Sequence, residues 1–421
     1  MGLLSSKGLY NILKISKWKK KSTEEFFENK SRAKPLIYFY LFIPALREQK
    51  VIAETLEFIS KMNYPTNKFE IIVALDKKEQ GNFTTKDVVK KYLEKKANKM
   101  KISFVEYSGN GQKRSFQLNE ALKKIINKKT SKKNIFVGVY DADSRPNLNT
   151  LSYINYKFFK EKKMVFAFQQ TINYLLNSEK ISNLKNSSLL LGNAYYQTLW
   201  NYISEINQFL KNNARFKKRK ESNFPPYCMG HGEFFELETL KSIGGFPNNG
   251  PADGIQIGFI LALKRIKIIP IPLDDSCESP EKLSVLFKQH SFWFCGNINF
   301  FKIISKEKFS FSRIMQTLNH LFLCGKWLVR PFFYSITLIY AIIVLNYLAI
   351  LVLLIMPFLY YLLGYYLIKQ NFEQKILKLK YCGVEIPLAM YFKSFGAVNG
   401  LIKTIKYYFF NKDYKFSKVE R

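Results

Sequence analysis

The 421-residue chain is long enough for one large core with additions, since a single domain rarely grows past about 250 to 300 residues. With 47% hydrophobic and 16% aromatic residues against 14 Pro and 20 Gly, the composition excludes a fibrous or disordered chain. A formal charge of +34 asks for a polyanionic partner or a heavily solvated surface, which makes nucleic acid and anionic lipid the two candidates. The cysteines at 228, 277, 295, 324 and 382 form no CxxC pair, so neither a disulfide framework nor a zinc site is indicated.

Residues 1–35 form a basic N-terminal segment without the apolar stretch and small-residue cleavage site of a signal peptide. Its apolar residues alternate with Lys, as in an interfacial amphipathic helix or a disordered leader. From Leu36 the run LIYFYLFIPAL predicts a buried strand ending near Pro44. A helix over 50–61 is closed by Tyr64-Pro65, and FEIIVALD supplies a second strand ending in Asp76. A helix over 86–98, the strand KISFVEY, a helix over 114–127 and the strand NIFVGVYDAD follow. Strands alternating with helices predict a Rossmann-like, mostly parallel α/β sheet, in which ligands bind beyond the carboxyl ends of the strands. Pro44, Asp76, Asp141 and Asp143 all fall at such ends.

Further on, MVFAFQQTINY predicts another strand, 182–210 a helix, and the basic stretch 211–226 an exposed loop. Between 298 and 330 Phe, Ile and Leu mix with Lys and Arg at helical intervals, predicting interfacial amphipathic helices with His320 at the surface. Residues 331–368 contain no charged side chain, and a helix needs about 20 apolar residues to cross a bilayer. The expectation is a transmembrane hairpin turning near Asn346 or at Met356-Pro357, because both the N-terminal domain and the tail 369–421 are Lys-rich.

Asp141-Ala142-Asp143 sets two carboxylates at a strand end, and hard divalent cations such as Mg2+ or Mn2+ take oxygen ligands and bridge to diphosphate. With this motif the stretch 36–297 resembles the family 2 glycosyltransferases, inverting enzymes of the GT-A fold, through several motifs in the family's order. FIPALRE is similar to the family's nucleotide-binding loop, so Pro44 to Glu48 are expected to border the nucleoside. Asp76 is expected at the base, Lys113 or Arg114 of GNGQKRSFQLNEAL at the pyrophosphate or base, and YDADS at the metal and diphosphate. GHGEFFELETLKSIGGFP resembles the segment framing the acceptor pocket, with His231 between two glycines. In GPADGIQIGF, Asp253 occupies the position of the catalytic aspartate, although Ala252 stands where the family usually has an acid. KQHSFWF is similar to the family's QxxRW element through Gln289 and Trp293, but Phe292 replaces the Arg, with His290 as a partial substitute.

The resemblance implies an inverting transfer from a nucleotide-sugar donor to a membrane-associated acceptor, lipid-linked or glycan. Asp253 would be the general base and a divalent metal would sit at Asp141 and Asp143. The expected setting is the cell membrane, with the catalytic domain on the cytoplasmic side, anionic lipid as a partner and no nucleic acid. The alternatives are a processive polysaccharide synthase of the same fold and a non-enzymatic basic protein binding membrane or nucleic acid.

Overall fold

The computed structural model describes residues 2–95, 101–109, 114–128, 132–162, 166–218, 220, 224–248, 250–308, 310–371 and 385–410. In chain order the elements are α1 (Gly2–Asn29), β1 (Tyr38–Ala45), α2 (Ile52–Ser60), β2 (Phe69–Asp76), α3 (Thr85–Lys95), β3 (Lys101–Tyr107), α4 (Arg114–Asn127) and β4 (Ile135–Val139). They continue with β5 (Arg145–Pro146), α5 (Thr150–Lys160), β6 (Ala167–Asn173), α6 (Ser178–Ser182), α7 (Ser187–Trp200) and α8 (Ile206–Lys217), a π-helical turn joining the last two. β7 (Glu233–Glu236), α9 (Leu237–Ser242), α10 (Asp253–Leu263), β8 (Ile268–Ser276), α11 (Leu283–Ile304), α12 (Phe311–Ile343), α13 (Tyr347–Asn371) and α14 (Glu385–Phe410) complete the described chain. Two compact units emerge: an α/β unit of Lys21–Ile172 with Phe209–Cys277, and a helical unit of Met1–Lys20, Asn173–Gln208 and Glu278–Arg421.

The α/β unit is built on an eight-stranded sheet in the order β3-β2-β1-β4-β7-β6-β8-β5. β1 pairs in parallel with β2 and β4, and β2 with β3, which is the alternation the sequence predicts. β1 and β2 are buried along their whole length, so their near-continuous apolar runs are what a strand covered on both faces requires. Beyond β4 the pairing turns antiparallel: β7 against β4 and β6, and β5 against β8. The sheet is therefore mixed. Gly138 of β4 pairs with Phe234 of β7, and a Cβ at that glycine would stand 2.5 Å from the Phe234 ring. β7 can close on β4 only because that side chain is missing.

The basic stretch from Lys211 is not a loop throughout. α8 runs to Lys217, because Asn212 and Asn213 turn inward and Asn213 Nδ2 donates to the Ile268 carbonyl at 2.8 Å. Charge on the outer face of a helix had the appearance of a solvated loop.

In the helical unit, every residue of α7 from Leu190 to Leu199 is buried. α14 packs on α11 through Gly396 and Gly400, where added Cβ atoms would lie 2.6 Å from His290 Cβ and 2.7 Å from the Ser291 carbonyl oxygen. The Lys393 ammonium of α14 sits over three aromatic rings, Tyr196 at 5.0 Å, Trp200 at 4.8 Å and Trp327 at 4.5 Å. Such cation–π contacts hold α14 between α7 and α12 with a charge that needs no acid.

α12 begins at Phe311 and runs through Arg330 and Pro331 without a break, so the change of composition at that point is not an element boundary. His320, expected at the surface, is buried: its Nε2 lies 2.8 Å from the Asn297 carbonyl oxygen, and the Phe300 ring packs against it at a tilt, centroids 4.3 Å apart. The face of α12 that carries His320 and Cys324 packs inward, which the mixed apolar and basic pattern did not reveal.

Among the described residues one helix, α12, is long and apolar enough to cross a membrane. Its exposed face carries Phe333, Ile336, Ile339 and Ile343. α13 follows after Val344, Leu345 and Asn346, the first of the two expected turning points. Replacing Ile336 and Ile339 together by Asp would set two acids on this outer face, each costing about 2.5–3.5 kcal/mol near a bilayer centre. Carbonate extraction of cell membranes is expected to release this variant while leaving the parent chain bound; equal retention of both would count against α12 as the anchor.

Candidate active site

The site grows from the carboxyl edge of the parallel strands. After β4, Tyr140 still donates its amide to the Phe42 carbonyl at 3.0 Å, and the chain then turns, Ser144 N donating to the Asp141 carbonyl at 3.1 Å. This turn separates the two acids. Asp141 keeps part of its carboxylate exposed, whereas Asp143 is 1% exposed. Thr55 of α2 bonds the Ala142 carbonyl between them and anchors the turn from below.

Arg114, the first residue of α4, joins this turn to the start of α10. Its Nη1 donates to Asp141 Oδ1 and its Nη2 to Asp253 Oδ2, both at 2.9 Å. The guanidinium thus uses its two-pronged geometry to bridge two carboxylates brought together from β4 and α10. Burial opposes its charge, but the carboxylates of Asp253 and Asp141 outweigh that and raise its affinity for the proton further. Room for the side chain comes from Gly230, whose backbone is left-handed at φ 94° and whose absent Cβ would lie 2.9 Å from Arg114 Nη2. Gly254 is required for the same close approach, since a Cβ there would meet the Gly230 backbone at 2.4 Å.

Asp253 opens α10 behind Ala252, which takes a left-handed conformation and provides no side-chain cap. The helix N-terminus favours the carboxylate electrostatically, while its oxygen faces the guanidinium. Glu233, at the start of β7, completes the charged group: its Oε2 accepts the Gly230 amide at 3.2 Å. Burial, with Asp253 adding to it and Arg114 opposing, pushes the Glu233 carboxyl up to about 8.

His231 occupies a second layer. Its Nδ1 lies 2.8 Å from Asp275 Oδ2, and Ser144 Oγ donates to the same oxygen at 2.9 Å, tying the His231 loop to the acidic turn. Burial works against the imidazolium, yet Asp275, Cys277 and Asp141 together hold it well above its ordinary value. Burial pushes the Cys277 thiol up to about 12, so it stays protonated and is no nucleophile.

The remaining expected residues are distributed as follows. Pro44 is buried in β1 beside Ala74. Asp76 ends β2 with its Oδ1 accepting the Lys78 amide at 3.0 Å, and the Glu48 amide donates to Thr85 Oγ1 at 2.9 Å. Lys113 lies outside the described residues. Gln289, His290 and Trp293 belong to α11 of the helical unit. His290 is fully buried there, 3.0 Å from Asn193 Oδ1 and edge-on to Trp293, and burial drops its proton affinity well below the usual value. A neutral, enclosed imidazole is suited to packing rather than to phosphate.

Two residues of this site, Glu233 and Asp275, escape a reading of the sequence. Glu233 begins a strand of four residues, too short for a period to register, and Asp275 is the second of two acids late in β8. The signal for each was an acid beside an apolar strand run next to a glycine-rich or acidic motif.

The family model described as glycosyltransferase-like family 2 matches residues 35–296. The chain belongs to this family. It is a glycosyltransferase, and its mixed α/β sheet, which the helices follow, has the GT-A fold. Among solved structures, a mannosyltransferase from Pyrobaculum calidifontis in complex with GDP-Man and Mn2+ aligns with a TM-score of 0.51 at 14% identity, covering 94% of this chain and 98% of that one. Residues 1–349 of TarS from S. aureus align at a TM-score of 0.42 and 14% identity over 90% of this glycosyltransferase and 94% of that chain. The glucosyl-3-phosphoglycerate synthase of Mycobacterium tuberculosis, crystallised with Mn2+, UDP and phosphoglyceric acid, gives 0.38 at 14% identity over 65% and 81%. At these identities the likeness to the first shows the fold. No curated protein matches the chain.

Arg114→Met in this glycosyltransferase would leave Asp253 and Asp141 facing each other without their shared cation. Since the pair is neither exposed nor fully enclosed, the expected loss is about 1–3 kcal/mol, between surface and buried ion pairs. Denaturation in detergent would read it as a lower midpoint. An unchanged midpoint would mean that the bridge carries no stability.

Proposed function

We propose that the protein is an inverting glycosyltransferase that moves a sugar from a nucleotide-sugar donor to a membrane-associated acceptor, lipid-linked or glycan, at the cytoplasmic face of the cell membrane. The single observation that carries this reading is the meeting of Asp141, Arg114 and Asp253 in one hydrogen-bonded group at the carboxyl edge of the sheet. Diphosphate and acceptor chemistry need opposite charges side by side, and this group supplies both.

Asp253 is the general base. It takes the proton of the acceptor hydroxyl as that oxygen forms its bond to the anomeric carbon, and the nucleoside diphosphate departs from the opposite face with the electrons of the broken bond. One displacement inverts the centre, and no enzyme nucleophile is needed. Arg114 orients the base and, from the same fork, offers positive charge toward the diphosphate side at Asp141. The imidazolium of His231, held through Asp275 to the acidic turn, adds charge of the same sign. Asp76 and the Pro44–Glu48 turn border the nucleoside.

A divalent cation, Mg2+ or Mn2+, fits the donor set. Asp141 and Asp143 are hard oxygen ligands at one turn, and Asp141 already bonds a cation in the form of Arg114. Among the described residues no group of three or more His, Cys, Asp or Glu could hold a metal ion. Two carboxylates completed by donor phosphates and water are what Mg2+ usually takes. When bound, the ion would neutralise charge on the diphosphate. The Mn2+ in the Pyrobaculum calidifontis mannosyltransferase is consistent with this choice. The exposed apolar face of α12 and the net charge of +34 support attachment to an anionic bilayer, with basic segments on the cytoplasmic side.

The base and the donor site should fail in different ways. Asp253→Asn keeps shape and loses basicity, so transfer should drop by at least about 10² while nucleoside diphosphate binding stays near normal. Asp143→Ala should lose both, and chelator should abolish transfer by the parent enzyme until Mg2+ or Mn2+ is restored. Nucleoside diphosphate release, assayed with a panel of nucleotide sugars and membranes, reads the first quantity, and equilibrium binding reads the second. Near-normal transfer by Asp253→Asn would remove the assignment of the base.

A further inference from the structure

We infer that Glu233 is a positioning residue of the transfer reaction: a second buried carboxyl, supplied by β7, that sets the charge and orientation of the Arg114–Asp253 pair. The inference rests on the reading of Asp253 as the base and goes beyond it. Ala252, ahead of Asp253, brings only a methyl group, so α10 itself provides one acid. The second comes from across the sheet. Glu233 is fully buried, its Oε2 is fixed by the Gly230 amide at 3.2 Å, and a Cβ on Gly254, the residue after Asp253, would touch that oxygen at 3.1 Å. Its other oxygen, Oε1, is buried with no hydrogen-bond partner among the described residues. A buried oxygen without a partner costs stability, which a purely structural side chain would not need to incur at this spot.

The groups that act on Glu233 are Arg114 from α4, Asp253 from α10, and His231 and Cys228 from its own loop. Two are cationic and one is anionic. With three carboxyls, Asp141, Asp253 and Glu233, around a single guanidinium, the fork can serve Asp141 and Asp253 fully only while Glu233 is neutral. Its carboxyl is pushed up to about 8, chiefly by burial, so it is protonated at neutral pH and ionises above that value. Below about 8 Arg114 stays on Asp253. Above it, the new carboxylate competes for the guanidinium and repels the incoming diphosphate. Transfer should therefore be favoured on the acid side of this ionisation and fall on the alkaline side.

The test compares Glu233→Gln and Glu233→Ala with the parent enzyme over pH 6 to 9.5, with Asp253→Asn in parallel. Parent kcat/KM is expected to fall about tenfold through an ionisation near pH 8, as one added charge close to the reacting groups would produce. In Glu233→Gln, which keeps the shape and a hydrogen-bond acceptor for Gly230, that fall should vanish, with kcat lowered about three- to tenfold and donor KM changed less than threefold. Glu233→Ala should lose kcat by about 10². An alkaline fall that persists unchanged in Glu233→Gln, or an alanine variant with parental kcat, would overturn the role. Near-normal transfer by Asp253→Asn would bring down the reading of the base itself, whereas its loss together with a shifted Glu233→Gln profile supports both.

Discussion

One guanidinium holds the chemistry of the α/β unit together. Arg114 reaches from the first turn of α4 to carboxylates at the end of β4 and the start of α10, each at 2.9 Å. Without a cation at that point, the carboxylates of Asp141 and Asp253 would repel one another in a partly desolvated space, where charges interact more strongly than in water. The neighbouring backbone is arranged to admit it. Gly230 gives up a side chain to the guanidinium, and Gly254 gives up one to Gly230, so two glycines far apart in sequence are required by the same contact.

The division of the sheet explains how acids of different function converge. The parallel half, β3-β2-β1-β4, buried along β2, β1 and β4 and half-buried along the edge strand β3, leaves Asp76 and the Asp141–Asp143 turn at its carboxyl edge. In the other half β7 runs opposite to β4 and β6 and so leaves from that edge, whereas β8 runs up to it. β7 starts there with Glu233, and β8 ends there with Asp275, which grips both His231 and Ser144. A strand that begins where its neighbour finishes can add side chains to one site without lengthening any loop.

The helical unit follows a different logic. α7 is enclosed, α14 fits against α11 through small residues, and Lys393 is satisfied by aromatic faces instead of an acid. α12 then exposes a row of large apolar side chains along its outer face while burying His320 and Cys324 on the inner one. Apart from the exposed Arg330, the outward side chains of this helix are mostly large and apolar while Gln316 and His320 turn inward, a distribution suited to lipid surroundings.

The sequence by itself determined the parallel core and the acids at its strand ends. Period and composition are local, so runs such as LIYFYLFIPAL and NIFVGVYDAD announce buried strands and their terminal residues without knowledge of the rest. It also carried the motif order that resembles the glycosyltransferase family, later shown by the match over residues 35–296. Tertiary structure alone decided what those residues face. Nothing near Arg114 in the chain indicates that its fork spans Asp141 and Asp253, because the three are brought together by the sheet and not by spacing. Glu233 and Asp275 entered the site through short or irregular strands whose pairing depends on distant partners, and His320 turned inward because α11 offered it a carbonyl and an aromatic ring. Local pattern fixes which face of an element is apolar; only packing chooses the partner of each polar group, because hydrogen bonds and ion pairs act over a few ångströms between residues that the chain keeps far apart.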